Sequence, residues 1–289
     1  MLKKLSLSHR EKELVPIQHF FIHLRVDNEE LSFGRYGLSR TRFAPIEKYN
    51  GLKEFITHIE PFFKENGEIL VYIHGFMAHV GIFERKVGFI LQNQLFNPLK
   101  DKFPIVISLK WESEPDYKES IKSAPLKASL LLNAIMEIDQ AYRNKSTFPS
   151  WSWLCHSMGN RIFAHLFAAW YKVHPGFSFG EVVLMAADVP GDVFDKELEN
   201  LPSCAHKILI FKSISDKTLE IANWIVPYPR LGSVGITSIN QHKNIQEVDV
   251  SGINDHEGLA PRLLKHRYYY ASATIRAYLL VILQGEDKD

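Results

Sequence analysis

A mostly parallel central sheet flanked by helices on both faces, an α/β architecture, is what this sequence predicts. Two observations predict it. Short apolar runs rich in strand formers alternate with stretches of helical spacing about 10–20 residues long, the pattern of parallel strands joined by crossover helices. In addition, the run Trp151-Ser152-Trp153-Leu154-Cys155-His156 passes directly into Ser157-Met158-Gly159-Asn160 and a helix-like stretch from Arg161 to Tyr171. A serine therefore sits on a sharp strand-to-helix turn.

The elements follow in order. Gln18 to Val26 and Leu31 to Gly37 read as an antiparallel leading hairpin, and Leu52 to Lys64 as a helix interrupted by Pro61. Ile69 to Ile73 is a strand, and Ile82 to Gln94 has helical spacing. Pro104 to Trp111 is a buried strand, carried by Ile105, Val106, Ile107 and Leu109. Ile121 to Tyr142 is the longest helix, with Leu126, Leu130, Ala134, Ile135 and Ile138 on one face. Trp151 to His156 is the next strand and Asn160 to Tyr171 the helix after the turn. Glu181 to Ala187 and Lys207 to Lys212 are further strands, Gln246 to Val250 a weaker one, and Tyr270 to Leu283 a closing amphipathic helix. With no repeat, low-complexity tract or linker, the expectation is one domain over 1–289, with a core at 67–284 and extra strands or an arm in 1–66.

Bulk properties narrow the function. A chain of 289 residues is long enough for a sizeable core. Its 34 Lys and Arg nearly balance 33 Asp and Glu, and no basic stripe marks a nucleic-acid footprint. No apolar run reaches about 18 residues, the length of a membrane span. The basic start Met1 to Arg10 has no apolar segment of the secretory kind. Cys155 and Cys204 give no disulfide framework and fit reduced thiols in a cytoplasm.

The turn at Ser157 has the setting of a nucleophile elbow, where a serine hydroxyl stands clear of the sheet within reach of a base. Such a turn needs small residues two before and two after the serine. Here they are Cys155 and Gly159, cysteine standing where glycine is usual. A serine acyl hydrolase also needs two backbone amides aimed at the developing oxyanion. One is that of Met158; the other is expected in the turn His74-Gly75-Phe76, which follows the strand ending at Ile73. Phe76 is then the second donor, Gly75 permits close approach, and His74 braces the loop. The acid and the base are expected in that order after the serine. Asp216 follows the strand Lys207 to Lys212 and also opens a helical stretch, as an N-cap would; Asp188 is the alternative, and Asp192 lies further into its loop. His256, in a polar glycine-flanked loop, and His266, before the closing helix, both qualify as base. His19, His23, His58 and His165 are expected at surface or core, and His156 on the opposite side of the turn from Ser157.

On these residues the chain resembles the α/β-hydrolase superfamily. More narrowly, it resembles a set of mostly bacterial members marked by a strand ending in His-Gly-Phe and an elbow reading His-Ser-Met-Gly-Asn. The matching pieces are Val71 to Phe76, His156 to Asn160, Ala186 to Val189, Ser213 to Lys217 and His266 to Tyr269, and the resemblance covers about Gly67 to Leu283. It implies an α/β-hydrolase fold and a catalytic histidine in a His-x-Tyr-Tyr context, which favours His266. Lys265 stands where the family often has glycine.

A serine hydrolase acting on a carboxylic ester, with no cofactor or metal, is the resulting expectation. Acyltransfer, thioester cleavage or a non-catalytic interaction role on the same fold are the alternatives. The partner is a small-molecule acyl ester, without nucleic acid or a stable membrane anchor. Candidates for an apolar acyl pocket are Phe76, Met77, Trp111, Trp224, Ile225, Tyr228 and Tyr268. The Pro- and Gly-containing stretch Trp224 to Gly232 reads as a loop, and a cap or flap over the substrate is expected there.

Overall fold

The computed structural model describes residues 17–25, 29–38, 43–63, 67–77, 82–143, 150–237, 242–258 and 263–285. Among the described residues nine strands form one sheet: β1 Gln18–Leu24, β2 Leu31–Leu38, β3 Phe43–Tyr49, β4 Ile69–Ile73, β5 Ile105–Trp111, β6 Trp151–His156, β7 Phe179–Met185, β8 Ala205–Lys212 and β9 Ile245–Asp249. Their spatial order is β3-β2-β1-β5-β4-β6-β7-β8-β9. From β1 to β9 every neighbouring pair is parallel; only β1–β2 and β2–β3 are antiparallel. The expected mostly parallel sheet is present, and the leading residues extend its edge.

The central strands are buried along their whole length, as parallel strands covered on both faces must be. Alternate side chains feed two cores. Ile69, Val71, Ile105, Ile107, Trp151 and Trp153 pack with the helices α3 Tyr117–Arg143 and α4 Gly159–Val173 on one face. Leu70, Tyr72, Val106, Leu154 and Val183 pack on the other with the end of α2 Ile82–Leu91 and the closing helix Ala273–Gln284.

Several boundaries differ from the sequence expectation. The strand β3 was not foreseen: Pro45, Glu47 and Lys48 give it the composition of a turn, which only an edge position tolerates. The first helix, α1, spans Leu52–Ile59, and Pro61 turns its continuation into a single 3₁₀ turn, Glu60–Phe62. After Leu91 the chain loosens into a π turn, Gln92–Phe96, rather than continuing to Gln94 as α-helix. Helix α3 begins at Tyr117, four residues early, because Asp116 Oδ1 accepts from the amides of Lys118 and Glu119. The closing helix begins at Ala273, capped by the Ser272 hydroxyl, which accepts from the Ile275 amide. Tyr268–Ala271 is a separate turn before it. The end of the first predicted strand at Val26 and the end of the predicted helix at Lys64 lie outside the described residues. Among the described residues no helix is long and apolar enough to cross a membrane.

Candidate active site

Strand β6 ends at His156, and the chain turns at once into α4. Ser157 occupies the turn with φ of 54°, a left-handed conformation that costs a non-glycine residue of order 1 kcal/mol and persists only where the surroundings enforce it. The enforcement is visible. The Ser157 amide donates to the Met185 carbonyl at 2.9 Å, and the Ser157 carbonyl accepts from the amides of Asn160 and Asp188 at 3.1 and 3.2 Å. Asn160 Nδ2 donates to the same carbonyl at 2.9 Å and to that of Met185 at 3.2 Å. The asparagine that closes the His-Ser-Met-Gly-Asn string thus ties the elbow to β7.

The two glycines have steric causes. A Cβ at Gly159 would lie 2.5 Å from the His74 carbonyl oxygen and 2.6 Å from that of Ile73. Both are backbone atoms of the neighbouring strand end and cannot yield. Gly159→Ala is therefore expected to cost about 1–3 kcal/mol by overpacking, read as a lower denaturation midpoint with an unchanged denaturant slope. A Cβ at Gly75 would lie 2.8 Å from the Ser157 Cβ, so the turn after β4 passes directly over the serine.

That turn is braced by His74. Its Nδ1 donates to the Gly75 carbonyl at 2.8 Å, so Nε2 is the acceptor for the Trp111 amide at 3.3 Å. The Trp111 indole donates to the His74 carbonyl at 2.9 Å and lies parallel to the imidazole. Met77 has φ of 53° and its amide donates to Ser113 Oγ. Among the described residues no protein group accepts from the amides of Phe76 or Met158.

Asp216 and His266 meet. His266 Nδ1 donates to Asp216 Oδ2 at 2.7 Å, with both side chains buried. The other carboxylate oxygen, Oδ1, accepts from the Leu219 amide at 3.0 Å and caps α5 Lys217–Ile225. The two roles that the sequence left open for Asp216 are thus one arrangement: the helix cap fixes the carboxylate that holds the histidine.

The alternatives lie elsewhere. Asp188 Oδ1 accepts from Arg230 Nε at 2.8 Å and from the Tyr228 hydroxyl at 3.3 Å, and Oδ2 accepts from the Tyr117 hydroxyl at 2.6 Å. Burial and the Asp188 charge push the Tyr117 hydroxyl well above its ordinary value, which keeps it a donor. Both oxygens of Asp188 are committed away from His266. Asp192 pairs with Lys196. His256 is buried where its backbone bridges to Ser272.

His156 corrects an expectation. It lies on the same side as Ser157: both line one cavity, and its Nε2 donates to the His266 carbonyl at 3.1 Å. Its ring packs 4.8 Å from that of His266 and 4.4 Å from that of Tyr269. Burial first, then the neighbouring His266, hold its pKa well below the usual histidine value, so it remains neutral. Cys155 lies fully buried on the opposite sheet face, where burial holds the thiol protonated. Both cysteines are free.

The cavity measures about 310 Å³, and Ser157, His266, His74, Gly75, Phe76 and Met77 line its near end. The other pocket candidates are not brought there. Trp111 and Tyr268 are core residues, the Tyr268 hydroxyl accepting from the Ala186 amide and donating to the Phe211 carbonyl. Trp224 is 74% exposed and Ile225 half exposed on the outside of α5. Tyr228 packs against Arg230, its ring 4.1 Å from the guanidinium.

The expected flap from Trp224 to Gly232 is an anchored segment. Arg230 is buried and donates to the carbonyls of Ala222 and Val226, while the amides of Leu231 and Gly232 donate to the carbonyls of Val189 and Ala187. A Cβ at Gly232 would lie 2.1 Å from the Ala187 amide nitrogen. Gly232 serves close backbone packing, while Pro227 and Pro229 are exposed and the Pro229 carbonyl accepts from the Gly191 amide.

Sequence reasoning missed the far end of the cavity. His19, Tyr36, Phe43, Ser108 and Lys110 line it. His19 and Ser108 had one available signal: they are polar residues inside apolar strands. The remaining expected histidines are ordinary, His58 exposed and His23 and His165 partly buried.

Residues 52–283 match the model of the family described as "Alpha/beta hydrolase of unknown function (DUF900)". A search of curated proteins found no match. Among solved structures, the one described as "The crystal structure of the putative cell surface hydrolase from Lactobacillus plantarum WCFS1" is similar at a TM-score of 0.44 and 12% identity, covering 78% of this chain and 95% of that one. A likeness of that size carries no argument about activity.

Proposed function

On the premise that this chain belongs to that α/β-hydrolase family of unknown function, we propose that it is a serine hydrolase cleaving a carboxylic ester or related acyl bond. Ser157 is the nucleophile, His266 the base and Asp216 the acid. One observation carries the reading: Ser157, strained on the turn after β6, and His266, held by the buried Asp216 at 2.7 Å, line one cavity.

The chemistry follows from the protonation pattern. With Nδ1–H given to Asp216, His266 keeps Nε2 as its basic nitrogen. It takes the Ser157 proton as the hydroxyl oxygen bonds to the acyl carbon. The oxyanion accepts from the amides of Phe76 and Met158. Collapse expels the alcohol, which leaves with the proton from His266. Water then repeats the sequence on the acyl-enzyme, releasing the acid and restoring the serine. Asp216 stabilises the imidazolium in both steps. Because His156 stays neutral, no fixed positive charge opposes that imidazolium from 4.8 Å.

Hydrolysis of p-nitrophenyl esters from acetate to palmitate tests the reading. Asp216→Asn should lower kcat by on the order of a thousandfold, since an amide no longer enforces the tautomer. Asp188→Asn should leave kcat within a few-fold. The reverse order would move the acid to Asp188.

A further inference from the structure

The cavity does not descend through the sheet but runs along one face of it. Its floor crosses consecutive strands: His156 on β6, Tyr72 on β4, Ser108 and Lys110 on β5, His19 on β1. Neighbouring strands lie about 4.8 Å apart, so β6 to β1 spans about 14 Å and β6 to β2 about 19 Å. Helix α2 forms the roof through Val87, Gly88 and Leu91.

At the far end the trough is closed by aromatic rings. Tyr36 and Phe43 stack at 4.4 Å with planes 25° apart, and the His19 ring lies 5.1 and 5.2 Å from the two. His19 is fixed in turn. The Gln92 amide nitrogen donates to Asn97 Oδ1, so its oxygen accepts from His19 Nδ1 at 2.7 Å; Nε2 then accepts from the Ser108 hydroxyl at 2.7 Å. Phe43 is wedged against the roof, where a Cβ at Gly88 would lie 2.4 Å from its ring.

The placement of Phe43 depends on a bulge. Arg35 pairs with Glu47, but Tyr36 pairs with Pro45, so Ile46 is the extra residue of β3 and points outward, exposed. Side chains alternate with a period of two, and one inserted residue exchanges the faces. Without the bulge, Ala44 and Ile46 would face the cavity; with it, Phe43 does. All three strands precede the family-matched segment, which begins at residue 52.

We infer that the β1–β3 hairpin is the specificity element of this site, with Tyr36 and Phe43 closing the cavity opposite Ser157 and setting the length of acyl group it takes. The inference rests on the serine-hydrolase reading above. A volume of about 310 Å³ is at the small end for ligand sites, which points to short or medium acyl groups rather than long lipid chains.

The test compares wild type, Phe43→Ala and Val87→Phe. The second variant fills the trough from a partly buried roof position, so it does not depend on the first one folding. Two readouts are taken for acyl lengths of two to twelve carbons: kcat/KM on p-nitrophenyl esters, and thermal stabilisation by the free carboxylic acids. Wild type should show a length limit in both. Phe43→Ala should raise the long-to-short ratio at least tenfold, and Val87→Phe should lower it. Folded variants with the wild-type length profile in the binding readout overturn the inference, whether or not any ester is turned over. Length-dependent binding without Ser157-dependent turnover overturns the hydrolase reading alone.

Discussion

Ser157→Ala is expected to lose ester hydrolysis by a thousandfold or more while keeping the fold. The residual rate should be that of an oxyanion site acting on bound substrate without a nucleophile. Stability supplies a second readout. Ser157 sits at φ 54° because four hydrogen bonds to its backbone hold it there. Alanine suffers the same backbone penalty and should leave stability nearly unchanged. Glycine does not, so Ser157→Gly should be equally inactive yet more stable by about 1 kcal/mol, a rise in Tm of roughly 2–4 °C. A loss of stability in Ser157→Gly would mean that the turn is not strained. Full activity in Ser157→Ala would remove the serine from the chemistry.

Arg230→Met is expected to be the most destabilising substitution outside the elbow. Arg230 and Asp188 are each 2% exposed and bonded to one another. Removing the guanidinium leaves the buried carboxylate, among the described residues, with the hydroxyls of Tyr117 and Tyr228, and breaking one side of a buried pair costs about 3–5 kcal/mol. It also releases the carbonyls of Ala222 and Val226 and loosens the segment that closes over Ala186 to Val189. Adding Asp188→Asn to Arg230→Met should recover part of the loss, because the uncompensated charge is gone. At temperatures where it remains folded, Arg230→Met should keep most of its kcat, since neither partner touches the Asp216–His266 pair. A fall in kcat matching that of Asp216→Asn would contradict this division between anchor and acid. So would additive losses in the double variant.

These two sites mark what the sequence discloses and what it withholds. The elbow was legible because its causes are local: an apolar strand, a small residue at position 159, a helix start, and a second glycine turn after an earlier strand. The pairing of Asp216 with a later histidine was legible through chain order, although the sequence could not say that one carboxylate both caps a helix and holds that histidine. The stretch Trp224 to Gly232 was misread because its proline and glycine mark a loop without saying whether its backbone is tied down, as the hydrogen bonds at Pro229, Leu231 and Gly232 tie it here. The partner that decides the matter, Asp188, is 42 residues away. The far wall was hidden for a topological reason. The order β1-β5-β4 sets residues 18–24 beside 105–111, and a one-residue bulge in an unforeseen strand turns Phe43 inward. Local periodicity contains neither fact.

Covalent labelling with a fluorophosphonate, read by intact mass and peptide mapping, tests the central claim most directly, because it requires an activated serine but no knowledge of the substrate. A single adduct on Ser157 is predicted, absent in Ser157→Ala and formed far more slowly in Asp216→Asn. No adduct on the folded wild-type protein, or one on a different residue, would contradict the claim that Ser157, His266 and Asp216 form a working catalytic unit.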